Sequence, residues 1–178
     1  YSFATNLFQQ LTGFLDMGTS TCFYNSLSRR QAETGLIGFY MRVTAVVFGI
    51  ILLAAALLQF PLAGELLMPD VPLWLAPLAA MWAFLTWWGR VLRSMNDAVG
   101  ATVASEMVRT AVSLLTVGLL GAMFWADWLN INTLFAQQYL MLGATALGYW
   151  LVTRSYWREA GVPLHFRLTP DQTRAYGR

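Results

Sequence analysis

The sequence predicts an all-α, polytopic membrane protein with about five transmembrane helices. Hydrophobic residues make up 57% of its 178 residues and charged residues only 11%, whereas roughly a quarter of the residues in a soluble domain are charged. Several apolar stretches reach the ~20 residues that a helix needs to cross the hydrocarbon core. All the basic residues are arginine and fall in alternate connections between these stretches, which is typical of a multi-pass membrane protein.

We expect a single transmembrane helical bundle over residues 1–158, followed by a cytoplasmic tail or a linker to a further span over residues 159–178. The expected spans cover residues 2–27, 40–58, 73–92, 107–128 and 137–157. Prolines between residues 59 and 72 exclude a continuous helix there. The charged stretch 93–106 is predicted to continue the third helix beyond the membrane. Both ends of the sequence are expected to be cut from a longer protein.

The distribution of arginine orients the expected helices. Arginines flank the first and third connections and follow the last span, at Arg29, Arg30, Arg42, Arg90, Arg93, Arg109, Arg154, Arg158, Arg167, Arg174 and Arg178. The charged residues of the second and fourth connections are all acidic: Glu65, Asp70 and Asp127. Because arginine-rich loops remain in the cytoplasm, we expect the arginine-bearing connections to be cytoplasmic and the chain to start on the outer side.

Tryptophan and glycine are assigned structural roles. Trp74, Trp125 and Trp128 are expected at the outer membrane interface, and Trp87, Trp88, Trp150 and Trp157 at the inner one. Amphipathic rings at these positions anchor helices at the headgroup level. Gly118, Gly121, Gly143 and Gly148 are predicted to provide small faces for close helix packing.

The composition excludes several classes of site. The single cysteine, Cys22, excludes an internal disulfide and a cysteine-based metal site, and the single histidine, His165, lies outside the apolar segments. The sequence contains no nucleophile–histidine–acid set and no phosphate-binding glycine loop. A formal net charge of +2 is too small to indicate nucleic-acid binding. We therefore expect no enzyme, no catalytic residue, no metal site, no cofactor and no nucleic-acid partner, with membrane lipids as the surroundings.

The first span is unusually polar, and its polar residues share one helical face. They recur at steps of three and four residues, at Ser2, Asn6, Gln9, Gly13, Asp16 and Ser20. This spacing places them on one side of a helix. Contact between such a stripe and lipid is unfavourable, because inserting a charged Asp at the bilayer centre costs ~2.5–3.5 kcal/mol of free energy. The stripe is therefore predicted to face a neighbouring helix or a water-filled cavity.

Two interpretations of Asp16 stay open. A helix from Asp16 to Arg29 is ~20 Å long, so Asp16 is expected near mid-membrane. There it either lines a translocation pathway or fixes packing through neighbouring hydroxyls and an opposing helix. The sequence Asp16-Met17-Gly18 is also compatible with a local bend, made with Gly13 and Gly18.

Arginines near the cytoplasmic helix ends form a second group of candidates. Arg42 lies one to two turns inside the second span, where it either snorkels to the interface or contacts an anion in a cavity. A cytoplasmic mouth is predicted at Arg29, Arg30, Arg90, Arg93 and Arg109. Its arginines either set topology and attract anionic lipids or bind a substrate phosphate. Glu106 and Arg109 are spaced for pairing along a helix.

The stretch Phe14-Leu15-Asp16-Met17-Gly18-Thr19-Ser20-Thr21, with the basic pair Arg29-Arg30 after it, resembles the second transmembrane helix of bacterial polysaccharide flippases. These belong to the multidrug/oligosaccharidyl-lipid/polysaccharide exporter superfamily. Tyr40-Met41-Arg42 is similar to the opening of the family's third helix. The resemblance implies that the chain covers helices two to six, part of one lobe of a two-lobe transporter with a cationic central cavity.

The same resemblance implies a fragment of a transporter that flips undecaprenyl-diphosphate-linked oligosaccharide across the bacterial cytoplasmic (inner) membrane for polysaccharide biosynthesis. The implied partners are the lipid-linked oligosaccharide and other polysaccharide-assembly membrane proteins. The residues expected to line the cavity are Asn6, Gln9, Asp16, Ser20 and Arg42. Two alternatives stay open: a multidrug-type cation antiporter of the same superfamily, and a non-transporting membrane subunit or scaffold whose stripe packs on a partner helix.

Overall fold

The computed structural model describes residues 2–16, 18–29, 34–60 and 75–159. These residues form six α-helices and no β-strand. In chain order the helices are α1 (Ser2–Asp16), α2 (Thr19–Arg29), α3 (Thr34–Leu57), α4 (Leu75–Ala98), α5 (Thr102–Trp125) and α6 (Ile131–Glu159). The all-α class predicted from the sequence is confirmed for this part of the chain.

The described residues divide into two compact units. The first unit contains α1, α2, α3 and the part of α4 up to Trp88. The second contains the rest of α4 from Gly89, together with α5 and α6.

In the first unit, α1 packs against α3. The buried residues of α1 follow a helical period, at Ala4, Thr5, Phe8 and Thr12. Those in the second half of α3 do the same, at Val47, Ile51 and Ala55. Because residues three and four apart share a helical face, each helix turns one continuous face inward.

An aromatic pair joins α2 to the beginning of α3. Phe23 and Leu27 are buried on α2. The ring of Phe23 stacks on that of Tyr40, with centroids 4.0 Å apart. Stacked aromatic pairs contribute ~0.5–1.5 kcal/mol beyond their buried area, so this pair helps to set the position of α2 on α3.

The polar first span is two helices and not one. α1 ends at Asp16 and α2 begins at Thr19. Gly18 between them adopts a positive φ of 81°, and its carbonyl accepts the first α2 hydrogen bond, from Cys22 N at 2.9 Å. A positive φ is costly for any residue with a Cβ. The span expected over 2–27 therefore contains the local bend that the sequence left open, at Gly18, whereas Gly13 lies within α1 and takes no part in it.

In the second unit, α5 and α6 form an antiparallel hairpin. Gln137 Nε2 donates to Thr116 O at 3.5 Å. Nearer the other end, a Cβ added to Gly148 would lie 2.5 Å from Val108 Cγ1. The helices thus approach closely where one residue has no side chain, as predicted for glycine here. Added Cβ atoms at Gly118, Gly121 and Gly143 would meet nothing within 4 Å, so these three do not mark close contacts among the described residues.

Gly100 ends α4. It adopts φ 81°, and Ala101 N donates to Asn96 O at 2.8 Å. This is a Schellman motif, which satisfies carbonyl groups left free at a helix end. The helix predicted to run through residues 93–106 therefore stops at Ala98, and α5 begins at Thr102.

The turn from α5 to α6 is capped on both sides. Asp127 has φ 56°, and Trp128 N donates to Met123 O at 3.0 Å. At the start of α6, Thr133 N donates to Asn130 Oδ1 and Asn130 N donates to Thr133 Oγ1, both at 3.0 Å. These reciprocal bonds form a capping box. They start α6 at Ile131, within the connection between the spans expected at 107–128 and 137–157.

The later helices follow the predicted spans in order. The spans expected at 40–58, 73–92, 107–128 and 137–157 fall on α3, α4, α5 and α6. Most of the second connection, residues 61–74, lies outside the described residues, as does the expected tail beyond residue 159.

Among the described residues, two helices are long and apolar enough to cross a membrane: Leu36–Leu57 within α3, and all of α5, Thr102–Trp125. In α5 no residue of the most apolar stretch is buried within the protein. A helix that is apolar on all sides suits burial in a large core or in lipid. These two helices are compatible with a membrane protein, and five crossings remain a prediction.

Candidate functional site

The polar face of α1 lies on the surface of the first unit. Asn6, Gln10 and Gly13 are exposed and Gln9 is half-buried. An added Cβ at Gly13 would meet nothing within 4 Å. The part of the predicted stripe at Asn6 and Gly13 is therefore turned away from α3. Gln10 was missed, although its spacing of four residues from Asn6 was the available signal.

Asp16 caps α2. Its Oδ1 accepts the backbone N–H of Ser20 at 3.1 Å and the Ser20 hydroxyl at 2.5 Å. The first N–H groups of a helix have no partner within the helix, and a carboxylate there also interacts well with the helix dipole. The half-buried Asp16 thus has a structural task, which favours the second of its two interpretations.

Ser20 also contacts a side chain of α3. Its Oγ lies 2.7 Å from the hydroxyl oxygen of Tyr40, whose side chain is 1% exposed. Because the Ser20 hydroxyl donates its proton to Asp16, Tyr40 is the donor to Ser20. The structure therefore brings Asp16 and Ser20 together, as predicted, and adds Tyr40. Its sequence distance from Ser20 gave no signal for this contact.

A cavity of about 470 Å³ opens between α1 and the end of α3. Its lining is apolar: Leu7, Phe8, Leu11, Ala54, Leu57, Leu58 and Phe60. Leu7 and Leu11 are one turn apart, and each lies ~100° around α1 from Asn6 and Gln10, respectively. α1 therefore carries a polar face and an apolar cavity side by side.

The arginines predicted near these residues do not all join this site. Arg29 is exposed in the last turn of α2, where a cation interacts favourably with the helix dipole. Arg42 is exposed on α3. Arg30 lies outside the described residues.

In the second unit, Glu106 joins two of the predicted mouth arginines. Its Oε1 accepts from Arg93 Nη2 at 2.5 Å, and its Oε2 accepts from Arg109 Nη1 at 3.4 Å. The expected pairing of Glu106 with Arg109 is thus present, but the shorter bond is to Arg93 on α4. Arg90 is exposed on the same helix.

A buried polar cluster connects α4 with α6 in the second unit. Asn96 is completely buried; its Nδ2 donates to Tyr149 O at 3.3 Å, and its Oδ1 accepts from Thr153 Oγ1 at 2.7 Å. Both polar ends of the amide are therefore satisfied, as burial requires. Local spacing in the sequence does not reveal this cluster, because Asn96 is more than fifty residues away from Tyr149 and from Thr153.

Trp87 and Trp88 do not have the exposed indole groups expected of the inner tryptophan belt. Trp87 is 3% exposed, and both indole nitrogens are buried without a hydrogen-bond partner among the described residues. The two rings lie 6.1 and 6.0 Å from Phe84. An interfacial anchor keeps its N–H among headgroups, so these residues belong to internal packing. Trp125 and Trp128, which are expected in the outer belt, are exposed.

Within the described residues, no group of three or more His, Cys, Asp or Glu side chains is placed to hold a metal ion. Cys22 is an exposed free thiol on α2. Comparison with protein-family models, curated proteins and solved structures finds no match to this chain.

Proposed function

We propose that the chain is a membrane-embedded segment of a transporter that moves undecaprenyl-diphosphate-linked oligosaccharide across the bacterial cytoplasmic membrane. In this proposal it crosses the membrane about five times, with its arginine-bearing connections in the cytoplasm and its helices in one lobe of the transporter. The observation that carries the proposal is the outward polar face of α1, with Asn6, Gln10 and Gly13 exposed.

The polar face requires a polar environment. An amide placed in hydrocarbon without a hydrogen-bond partner costs several kcal/mol. Asn6 and Gln10 each carry two N–H donors and a carbonyl acceptor, a set that also complements sugar hydroxyls. Gly13 leaves the backbone open to close approach. We therefore assign this face to a water-filled pathway that a glycan headgroup can cross.

The apolar cavity beside the polar face supports a lipid-linked substrate over a free sugar. Leu7 and Leu11 contribute to its wall on α1, and Ala54 and Leu57 to its wall on α3. An amphipathic molecule can place its headgroup against Asn6 and Gln10 while an isoprenoid segment fills the cavity. In the proposed orientation the cavity lies in the outer half of the membrane, where the substrate is released.

The arginines supply the complement to the diphosphate. Arg29 and Arg42 are exposed, and Arg30 follows Arg29 in the sequence. Guanidinium groups bind phosphate oxygens through paired hydrogen bonds. In the proposed topology these residues lie at the cytoplasmic side, where the charged headgroup enters.

A non-transporting membrane subunit is the second candidate function. It is favoured by the bonds of Asp16, whose Oδ1 is occupied by Ser20. In this alternative the exposed amides of Asn6 and Gln10 pair with a polar helix of a partner protein. A cation antiporter ranks below both, because it needs an embedded carboxylate that a cation reaches, and Asp16 already caps α2.

Cysteine accessibility separates the two main candidates. In the full-length parent with Cys22→Ser, single cysteines at Asn6, Gln10 and Gly13 should react with a polar, membrane-impermeant maleimide in intact cells. Cysteines at the buried Ala4 and at the exposed, apolar Leu53 serve as matched controls and should not react. Protection of Asn6, Gln10 and Gly13 at the control level would reject a pathway and support helix packing.

A second experiment tests the substrate. Asn6→Leu and Gln10→Leu should lower glycan export while the amount of protein in the membrane stays constant, because both changes remove hydrogen-bonding groups from the pathway. Ala56→Leu, on an exposed position of α3, is the control for added apolar volume. Normal export by both amide variants would remove the support for a glycan pathway along α1.

A further inference from the structure

Glu106 holds two guanidinium groups at the surface of the second unit. The side chains of Arg93, Glu106 and Arg109 are 41%, 42% and 57% exposed. Their ion pairs are therefore at the protein surface and accessible. Because both arginines are held by one carboxylate, less side-chain freedom remains to be lost when a ligand binds them.

This group retains positive charge and unused hydrogen-bond donors. Arg90 precedes Arg93 by three residues and so lies on the same side of α4; it is exposed and forms no ion pair with another described residue. Two carboxylates lie near Arg90, Arg93 and Arg109: Glu106, and Asp97 one turn beyond Arg93. The net charge of these five side chains is +1. Each guanidinium has five N–H donors, of which the described bonds to Glu106 use one in Arg93 and one in Arg109.

An exposed apolar surface continues from the arginines along α5. Val117 follows Arg109 on the same helical face, ~12 Å further along the axis, and is 69% exposed. Leu114, three residues before Val117 and so next to it on the helix surface, is 70% exposed. A ligand with an anionic head and a long apolar chain therefore finds matching groups at both of its ends.

We propose that this surface binds an anionic phospholipid of the cytoplasmic leaflet. The phosphate lies against Arg90, Arg93 and Arg109, and an acyl chain runs along α5 over Val117. A phosphodiester carries a single negative charge, which balances the net charge of the group, and it accepts the paired N–H bonds that arginine offers. The inference concerns the second unit alone and is independent of the transport function proposed for the first.

Native mass spectrometry of the purified full chain tests this proposal. The protein is released from micelles that contain either phosphatidylglycerol or phosphatidylcholine with identical acyl chains. One phosphatidylglycerol should remain bound, and phosphatidylcholine should be lost under the same conditions. Arg109→Gln should weaken phosphatidylglycerol binding about tenfold, the usual effect of losing a charged hydrogen bond.

Arg154→Gln is the matched control, because Arg154 is an exposed arginine on α6 and the change removes the same charge. It should leave phosphatidylglycerol binding unchanged. Arg90→Gln disrupts no ion pair with a described residue and should also weaken binding, so the proposal stays testable if Arg109→Gln misfolds. Circular dichroism of each variant verifies that the helices are intact.

Three results would overturn the proposal. Equal retention of the two lipids would show that charge does not select the headgroup. An equal loss in Arg154→Gln and Arg109→Gln would show a general effect of net charge. Displacement of phosphatidylglycerol by excess inorganic phosphate would assign the arginines to a free anion, since the acyl chain would then contribute nothing.

Discussion

The hydroxyl of Ser20 lies 2.7 Å from the hydroxyl of Tyr40, and this contact ties the bend between α1 and α2 to the start of α3. Tyr40 donates to Ser20, which in turn donates to the carboxylate of Asp16. The three side chains form one directional chain of hydrogen bonds. Its far end is buried under the ring of Phe23, so the bend is held by side chains from three helices.

Tyr40→Phe should lower the free energy of unfolding by ~0.5–1.5 kcal/mol, the net value of one hydrogen bond. The phenyl ring can keep its stacking on Phe23, so the loss comes from the hydroxyl alone. Denaturant titration in detergent micelles, followed by far-ultraviolet circular dichroism, measures the change. Tyr24→Phe, at an exposed position of α2, is the control, and an equal loss in both variants would contradict the assignment.

Gly18→Ala should destabilise the protein by ~1–2 kcal/mol, because a Cβ is strained at positive φ. The surroundings play no part, since an added Cβ there would meet nothing within 4 Å. Gly13→Ala is the matched control: it is equally open but lies within α1, and should stabilise by ~0.5–1 kcal/mol. The difference in unfolding free energy between the two variants is the quantity to measure. Equal effects would argue against the bend.

Gly148→Ala should destabilise the α5–α6 hairpin by ~1–3 kcal/mol through overpacking, because its Cβ would lie 2.5 Å from Val108 Cγ1. Val108→Ala in the same protein should recover much of this loss. Gly143→Ala, at an open position of the same helix, should not destabilise. Thermal unfolding of the single and double variants gives the coupling energy directly, and strict additivity would exclude a direct contact.

Asp16→Ala should cost ~0.5–2 kcal/mol, the usual effect of removing a helix cap. Asp16→Asn retains an oxygen acceptor for Ser20 and should be close to wild type in stability. Glycan export, the readout of the proposed function, gives a second measurement. If Asp16 acts as a cap alone, Asp16→Asn should export normally. Loss of export by this variant at normal abundance would show that the negative charge takes part in transport.

Helical periodicity located most of the elements correctly because it depends on residues three and four positions apart. The apolar runs of α3 and α5 and the stripe at Asn6 and Gln9 were visible in this way. The pairing of Glu106 with Arg109 was visible for the same reason, since both lie on one turn of α5. Arg93 as the closer partner of Glu106 was not visible, because the turn at Gly100 brings it there from another helix.

Some residue types have two structural uses, and the sequence did not distinguish them. Trp87 and Trp88 have the composition and position of an interfacial belt, yet they pack internally beside Phe84. Asp16 has the features of an embedded functional carboxylate, yet it caps α2. In each case the decisive fact is which groups surround the side chain, and that depends on tertiary packing.

The sequence by itself determined the all-α class, the order of the apolar segments and the asymmetry of the arginines from which five crossings are predicted. Those properties follow from composition and local spacing. Only the tertiary structure decided that the polar first span is divided at Gly18, that its amide face points away from α3, and that Arg93, Glu106 and Arg109 meet. Such features depend on backbone conformation and on contacts between residues distant in the chain, which local periodicity does not encode.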